Sequence, residues 1–252
     1  MRRPRMRLLP YLDNEPQEPN HVGQRDVRRN THGGTLSERL VYWILMHVLM
    51  IWMPIYDSFT FIDCGCGSGR ICFIVSAVST VARDCYGIDI DQGRIDRAIR
   101  WRRRIMEYLR PLYNFSTHHF LPVFQVGDFT TLDTPFYRHA IKNRRVIFFC
   151  NNYDGVWLEG QIQARLEEII GQARVGSIVV SLYRMFVDNL FWHEEIYKTD
   201  IKRWDLSWTS ESSQDRTIPD FYVFKYTKCT GEEASAQRRH DLSKAKYVRF
   251  TV

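Results

Sequence analysis

A run of glycines preceded by a carboxylate is the clearest chemical signal in this sequence. Residues 63–69 read DCGCGSG, between an apolar stretch that predicts a β-strand and one that predicts a helix. Gly65, Gly67 and Gly69 let the backbone turn sharply and approach a ligand where any Cβ would clash. Asp63 adds a carboxylate at the end of the strand. The pattern predicts a small-molecule site at this strand-to-helix junction.

A second carboxylate narrows the choice of ligand. Asp89 ends the next predicted strand, 20 residues beyond Gly69, where an acidic side chain accepts hydrogen bonds from the ribose hydroxyls of an adenosine ligand. Arg70 stands where the dinucleotide fingerprint G-x-G-x-x-G requires glycine. Asp63 would repel a pyrophosphate but attract the ammonium group of S-adenosylmethionine. We therefore predict S-adenosylmethionine as the cofactor, over a merely tight turn.

The motif at 127–129, GDF, follows the third predicted strand. In folds of this kind a carboxylate there, Asp128, accepts from the exocyclic amine of adenine, and an aromatic ring, Phe129, covers one face of the base. The same tripeptide is also an ordinary turn. Its position after the third strand favours the adenine site.

The motif at 151–153, NNY, follows the fourth predicted strand. The side-chain carbonyl of Asn151 can accept hydrogen bonds from a neutral amine and leave the nitrogen lone pair directed at a methyl donor. A capped turn before the next helix would use the same residues. The position at the edge of the predicted sheet favours an amine acceptor.

The elements that must position these residues alternate from about residue 36 between helical and strand-like patterns. This alternation predicts an α/β doubly wound fold, here the class I, Rossmann-like, seven-stranded methyltransferase fold. Predicted helices cover 36–53, 70–81, 92–110 and 158–173; predicted strands cover 59–63, 85–89, 123–126, 146–150 and 177–182, followed by an antiparallel pair at 204–209 and 221–227.

Two features bear on the cellular setting. The apolar stretch 40–55 is shorter than the roughly 20 residues that span a bilayer, so we expect a core helix and no membrane segment. The first seven residues lead into Pro10 and a polar, Pro-rich stretch, so we expect no signal peptide. The six cysteines lack the spacing of a zinc site, and we expect a reducing compartment and no metal.

Composition divides the chain into an N-terminal arm and a domain. Residues 1–31 are rich in Arg, Pro and Asn and lack apolar periodicity, so we expect a short basic arm before a catalytic domain at 32–252. The net charge is +6 and the pI about 9.0. This arm and the basic C-terminal segment 225–249 are the expected phosphate-binding parts.

The sequence resembles the disruptor-of-telomeric-silencing family of histone lysine methyltransferases, which lack a SET domain. The resemblance extends from about His32 to Tyr226 and is most specific at the Asn-Asn-aromatic motif and the later Ser-Trp-Thr. It is carried by HGGT (32–35), FIDCGCGSGR (61–70), YGID (86–89), GDF (127–129), VIFFCNNY (146–153), SIVVS (177–181) and LSWT (206–209).

The resemblance implies two sets of site residues. Cofactor contacts would be His32, Gly33, Gly34, Thr35, Asp63, Gly65, Gly67, Gly69, Arg70, Asp89, Asp128, Phe129 and Asn151. An acceptor-lysine channel would be formed by Asn151, Ser181, Trp208 and either Phe221 or Tyr222, although an ordinary buried strand residue would account equally for Trp208. Gly34 and Arg70 depart from the usual glutamate and polar amide of the family, and 210–219 is an insertion before the channel aromatic.

The expected function is methylation of a lysine in the globular core of histone H3. The partner would be the nucleosome, with its DNA contacted by the basic arm and the C-terminal segment, and the location the nucleus. A nucleic-acid amino-methyltransferase of the adenine N6 type is the first alternative, although such enzymes usually carry N-P-P-aromatic for a flipped base. A catalytically inactive binding module is the second, and the intact Asp63, glycines and Asp89 disfavour it.

Overall fold

A computed structural model describes residues 38–49, 59–78, 82–109, 121–151, 162–182, 184–186, 191–199 and 221–230. Its strands are β1 (Phe59–Cys64), β2 (Ala82–Asp89), β3 (Val123–Val126), β4 (Val146–Cys150), β5 (Ile178–Ser181), β6 (Trp192–Thr199) and β7 (Phe221–Lys228). Its helices are α1 (Glu38–Trp43), α2 (Arg70–Val78), α3 (Gln92–Leu109), α4 (Pro135–Asn143) and α5 (Ile162–Gly171).

The strands form one seven-stranded sheet in the order β3-β2-β1-β4-β5-β7-β6. The first five strands are mutually parallel, and β7 is antiparallel to both of its neighbours. The strand order reverses between β1 and β4, which opens a crevice at the carboxyl ends of the strands. This arrangement confirms the predicted class I, Rossmann-like methyltransferase fold.

The central strands are buried on both faces. Every residue of β1 and of β4 is buried, which explains why both read as continuous apolar runs instead of alternating ones. Side chains such as Phe61 and Phe149 point to a core shared with α1, α2 and α3. Their neighbours Ile62 and Phe148 point to a second core shared with α4 and α5. We call these two sides the α1–α3 face and the α4–α5 face.

The apolar segment after residue 38 is a core element, as expected. Leu40, Val41, Ile44, Leu45 and Val48 are almost fully buried. The predicted helix 36–53 is nevertheless interrupted: α1 passes into a π-helical turn at Ile44–Val48, and the N–H of Leu49 closes it on the carbonyl of Ile44. Among the helices in the described part of the chain, none combines the length and apolarity needed to cross a membrane.

Two elements of the described structure were not predicted. Helix α4 and strand β6 lie in stretches for which the sequence predicts no element. Strand β7 matches the predicted 221–227, and its antiparallel partners among the described residues are β6 and β5. The predicted partner 204–209 lies outside the described residues. Strand β6 was missed because it lies at the end of the described sheet and its apolar and polar residues do not alternate cleanly; the side chain of Ile196, for example, is 54% exposed.

Other boundaries differ by a few residues. Strand β2 begins at Ala82 instead of Cys85, and α5 ends at Gly171 instead of 173. The predicted end of α2, 79–81, and the predicted start of α5, 158–161, lie outside the described residues. The predicted arm, 1–31, lies outside the described residues, so the proposed boundary at 32 stays a prediction.

Candidate active site

The glycine loop connects β1 to α2 at the carboxyl edge of the sheet. All three glycines have positive φ, 81° at Gly65, 55° at Gly67 and 84° at Gly69, a backbone conformation that other residues adopt only with strain. The N–H groups of Gly65 and Cys66 donate to the carbonyl of Ile88 at 2.9 and 3.0 Å. The loop is thereby held against the end of β2.

Gly67 and Gly69 have different surroundings. A Cβ on Gly69 would lie 2.3 Å from Cε1 of Phe124, so this glycine is required for packing. A Cβ on Gly67 would have no atom of the described residues within 4 Å. The space over Gly67 is therefore open, as a ligand-facing loop requires.

Asp89 ties the loop to β2. Its carboxylate is 4% exposed; Oδ2 accepts the N–H of Gly67 at 2.8 Å and Oδ1 accepts the N–H of Asp91 at 2.9 Å. A carboxylate has about four acceptor positions, so these two bonds leave lone pairs for a ligand hydroxyl. The predicted ribose-binding residue thus also orders the glycine loop.

Asp63 is the most constrained acid of the site. Its side chain is 1% exposed, and Oδ2 accepts a long contact from the Cys72 thiol at 3.8 Å. No group in the described part of the chain donates to Oδ1. Burial, with the negative charge of Asp89 as the second cause, raises the pKa of Asp63 from 3.8 to about 8. A buried carboxylate with an unused oxygen is suited to a cationic ligand group.

The GDF motif is a structured turn beside this loop. The N–H of Gly127 donates to the Asp89 carbonyl at 3.0 Å, and a Cβ on Gly127 would lie 2.5 Å from Cγ2 of Thr134. Asp128 is exposed, and its Oδ1 accepts the N–H and hydroxyl of Thr130 at 2.7 and 2.6 Å. Asp128 therefore caps the turn, and this role is compatible with a contact to adenine through its other oxygen.

The predicted acceptor residues follow the ends of β4 and β5. Asn151 is half-buried and comes directly after Cys150. Ser181 is fully buried and pairs in register with Cys150 on one side and Phe224 on the other. Because the parallel strands end at one edge, the structure brings Asn151 and Ser181 to the same edge as Asp63 and Asp89.

The two candidate channel aromatics begin β7 at this edge. Tyr222 is 39% exposed and lies two residues before Phe224, so it shares the α4–α5 face on which Phe224 packs. Asp63 lies two residues after Phe61 and therefore shares the α1–α3 face, on the other side of the sheet from Tyr222. Phe221 is placed by its backbone, opposite Thr199 of β6; its side chain lies outside the described part, so the choice between the two aromatics stays open.

The remaining predicted positions are only partly covered. Arg70 begins α2 and is half-buried. Phe129 is half-buried. The loop His32–Thr35 and Trp208 lie outside the described residues. No cluster of His, Cys, Asp and Glu side chains suited to a metal ion occurs in the described ranges.

Sequence reasoning missed two supports of the site. Gly87 lies inside β2, and a Cβ there would be 2.6 Å from Sγ of Cys66 and 2.8 Å from Cδ1 of Phe124. A glycine inside a strand pattern signals such a close approach. Tyr137 is fully buried, and its hydroxyl donates to the Phe129 carbonyl at 3.0 Å. No local signal announces that contact.

Solved structures of methyltransferases resemble this chain in fold. They include magnesium protoporphyrin IX methyltransferase from Synechocystis PCC 6803 with bound S-adenosylmethionine, at 14% identity and a TM-score of 0.46, covering 83% of this chain and 92% of that one. An rRNA methylase from Streptococcus thermophilus gives 11% identity and a TM-score of 0.41, over 69% and 89% of the two chains. At such values the likeness carries no argument about function. A comparison with curated proteins finds no match.

The family model for histone methylation protein DOT1 matches residues 34–214. This range contains the glycine loop, both buried carboxylates, the Asn-Asn-aromatic motif and Trp208. It covers more than two thirds of the chain, and the seven-stranded sheet agrees with it. The chain therefore belongs to the DOT1 family of histone methylation proteins and is an S-adenosylmethionine-dependent methyltransferase.

Proposed function

We propose that this protein transfers a methyl group from S-adenosylmethionine to a lysine side chain in the globular part of histone H3, on the nucleosome and in the nucleus. One observation carries the proposal: Asp63, Asp89, Asn151 and Ser181 converge on one edge of the sheet. Family membership supports the histone as the methylated class of protein.

The residues that follow β1, β2 and β3 at this edge fit the cofactor. Asp63 would hold the ammonium group through Oδ1, and a cation there would stabilise the charged carboxylate that burial disfavours. The open space over Gly67 would admit the ligand, Asp89 would accept from its ribose, and Asp128 would accept from its adenine. When bound, the cofactor supplies an electrophilic methyl group on a sulfonium centre.

The residues at the other half fit a neutral amine. A lysine has an ordinary pKa of about 10.4 and can attack only after it loses a proton. Aromatic walls, as proposed for Trp208 and for Phe221 or Tyr222, disfavour the ammonium form by excluding water and can bind methylated ammonium groups by cation–π contact. Asn151 would then orient the amine through its side-chain carbonyl. Catalysis would consist chiefly of placement in a dry site.

Contact with the nucleosome would come from outside this edge. The basic arm 1–31 and the segment 225–249 carry dense Arg and Lys, and such segments bind phosphates with release of counterions. Deletion of residues 1–29 is expected to weaken nucleosome binding and flatten its salt dependence. Cofactor affinity should stay unchanged.

A methylation assay with radiolabelled cofactor decides among the substrates. Nucleosomes, free histones and nucleic acid are offered separately to the full chain, with Asn151→Ala as the control that retains cofactor binding. Label on histone H3 in nucleosomes, absent with the variant, is the expected result. Label on nucleic acid alone would instead favour an adenine amino-methyltransferase. Cofactor binding without transfer to any substrate would leave only a binding module.

A further inference from the structure

The segment after β5 is held more tightly than an ordinary loop. Gln163 donates to the carbonyl of Arg184 at 3.2 Å, the Met185 N–H donates to the Tyr226 hydroxyl at 2.8 Å, and the Phe186 N–H donates to Glu167 at 3.1 Å. Three consecutive backbone positions are thus each fixed by a side chain from α5 or β7.

The anchored segment contains Phe186, whose backbone conformation is unusual. It has φ of 51°, the one non-glycine residue with positive φ in the described part of the chain. Its ring stacks on Trp192 at 4.6 Å and meets the edge of Tyr226 at 5.3 Å. A left-handed conformation of a bulky residue is strained and persists only where its surroundings over-determine it. Such positions cluster at functional sites.

Tyr226 is the centre of these contacts. It is 1% exposed, and besides accepting from Met185 its hydroxyl donates to Glu194 at 3.0 Å. Arg184 donates to both oxygens of Glu194 at 2.9 and 2.7 Å. Burial raises the pKa of Tyr226, so its hydroxyl keeps the proton that it donates. The tyrosine therefore connects the backbone after β5 to an ion pair on β6.

The anchored segment begins at the acceptor end of the candidate site. Ser181 is the last residue of β5, and Leu182 is 3% exposed and donates its N–H to the Cys150 carbonyl at 3.3 Å, next to Asn151. Met185 lies only four positions beyond Ser181, so a shift at Met185 would be passed to the rim beside Asn151.

We propose that Tyr226 is a positioning residue for the acceptor, fixing the rim of β5 at which the lysine enters, and this rests on the proposed function. The other end of the site has a counterpart. Tyr137 is equally buried, and its hydroxyl holds the carbonyl of Phe129 in the turn that precedes α4. Each tyrosine fixes one loop at the carboxyl edge, one on the cofactor side and one on the acceptor side.

The two tyrosines provide a matched test. Tyr226→Phe removes one hydroxyl and leaves the Met185 N–H unsatisfied, so kcat/KM for nucleosomes at saturating cofactor should fall about tenfold. The dissociation constant for S-adenosylmethionine should stay within about twofold, because no contact of Tyr226 reaches the glycine loop. Tyr137→Phe should give the reverse pattern, with weaker cofactor binding and nucleosome KM nearly unchanged.

Thermal unfolding of both variants separates positioning from general stability. Equal losses of melting temperature with the opposed kinetic patterns support the proposal. A Tyr226→Phe protein that keeps wild-type kcat/KM for nucleosomes, or that loses cofactor affinity as much as acceptor efficiency, overturns it. If the wild-type protein methylates no histone at all, the proposed function fails first and this proposal with it.

Discussion

The cofactor half of the carboxyl edge and the scaffold behind its acceptor half hold acidic residues in opposite electrostatic states. On the cofactor side, burial raises the pKa of Asp63 to about 8, and no described group donates to its Oδ1. On the acceptor side, the hydrogen bonds from Arg184 hold the pKa of Glu194 below its usual value, and Tyr226 donates to the same carboxylate. One acid needs a cation, whereas the other already has one.

This difference separates a binding surface from a scaffold. The cofactor half is left electrostatically incomplete by its own residues, so ligand binding should stabilise it strongly. The acceptor half is satisfied internally, and its role is to hold Ser181 and Asn151 in place. Substitutions in the first half should therefore change cofactor affinity, and those in the second should change turnover.

Asn151→Ala should give the largest effect. Its amide would orient the amine mainly in the transition state, so turnover on nucleosomes should fall about a thousandfold, while cofactor affinity changes little. Paired calorimetry and initial-rate measurements check this. Asn152→Ala, the adjacent substitution, is the control and should matter less. A fully active Asn151→Ala protein would contradict the amine-acceptor role.

Gly67→Arg should abolish measurable cofactor binding, a loss of at least about a hundredfold. The new side chain would occupy the open space over the loop, and a residue with φ of 55° other than glycine adds about 1–2 kcal/mol of strain. Gly171→Arg is the matched control, because that glycine also has no described atom within 4 Å of its Cβ position and ends α5 away from the loop. Similar losses in both proteins would refute the assignment.

Asp89→Asn should weaken cofactor binding about tenfold or somewhat more. Charge-assisted hydrogen bonds to the ribose and to Gly67, each worth about 1.5–3 kcal/mol, are replaced by neutral ones worth about 0.5–1.5 kcal/mol. Asp91→Asn tests the same exchange two residues later, where the side chain caps α3 through the N–H of Arg94 at 3.1 Å. Because asparagine caps helices equally well, that variant should bind the cofactor normally.

The pH dependence of the free protein should give the smallest effect. Asp63 has a folded pKa of about 8 against 3.8 unfolded, so the folded state binds the extra proton between these values. The stabilisation is full below 3.8 and is lost as pH rises to about 8. Between pH 6 and 7 the free energy of unfolding should fall about 1.4 kcal/mol relative to Asp63→Asn. Urea titrations at several pH values measure this free energy. An equal pH dependence of the free energy of unfolding in the two proteins would contradict the prediction.

The cofactor half was predictable because its information is local. The spacing of Asp63 and the three glycines can be recognised from the motif alone, and β1 and β4 read as buried runs. Helix α4 could have been found, since Thr134 followed by Pro135 at its first turn is a typical helix start. The apolar motif VIFFC was sufficient for β4.

The acceptor half was less predictable because distant residues determine it. The bond from Met185 to Tyr226 joins positions 41 residues apart, and nothing in the local pattern of β6 indicates that it pairs with β7. Trp192–Thr199 mixes buried, half-buried and exposed side chains without clean alternation. Strand β6, which pairs with β7 along its whole length, was therefore not predicted.

The internal position of β7 sets an order of assembly. This strand comes after β6 in the chain but lies between β5 and β6 in the sheet, so a ribosome releases β1 to β5 long before their last neighbour is synthesised. The parallel strands around the glycine loop can pair early, whereas Val179 and Val180 can pair with β7 only after residues 225 and 226 have been synthesised. Non-local pairing of this kind is slow. A nascent chain should therefore acquire its nucleotide-type pocket first and its substrate-facing edge last.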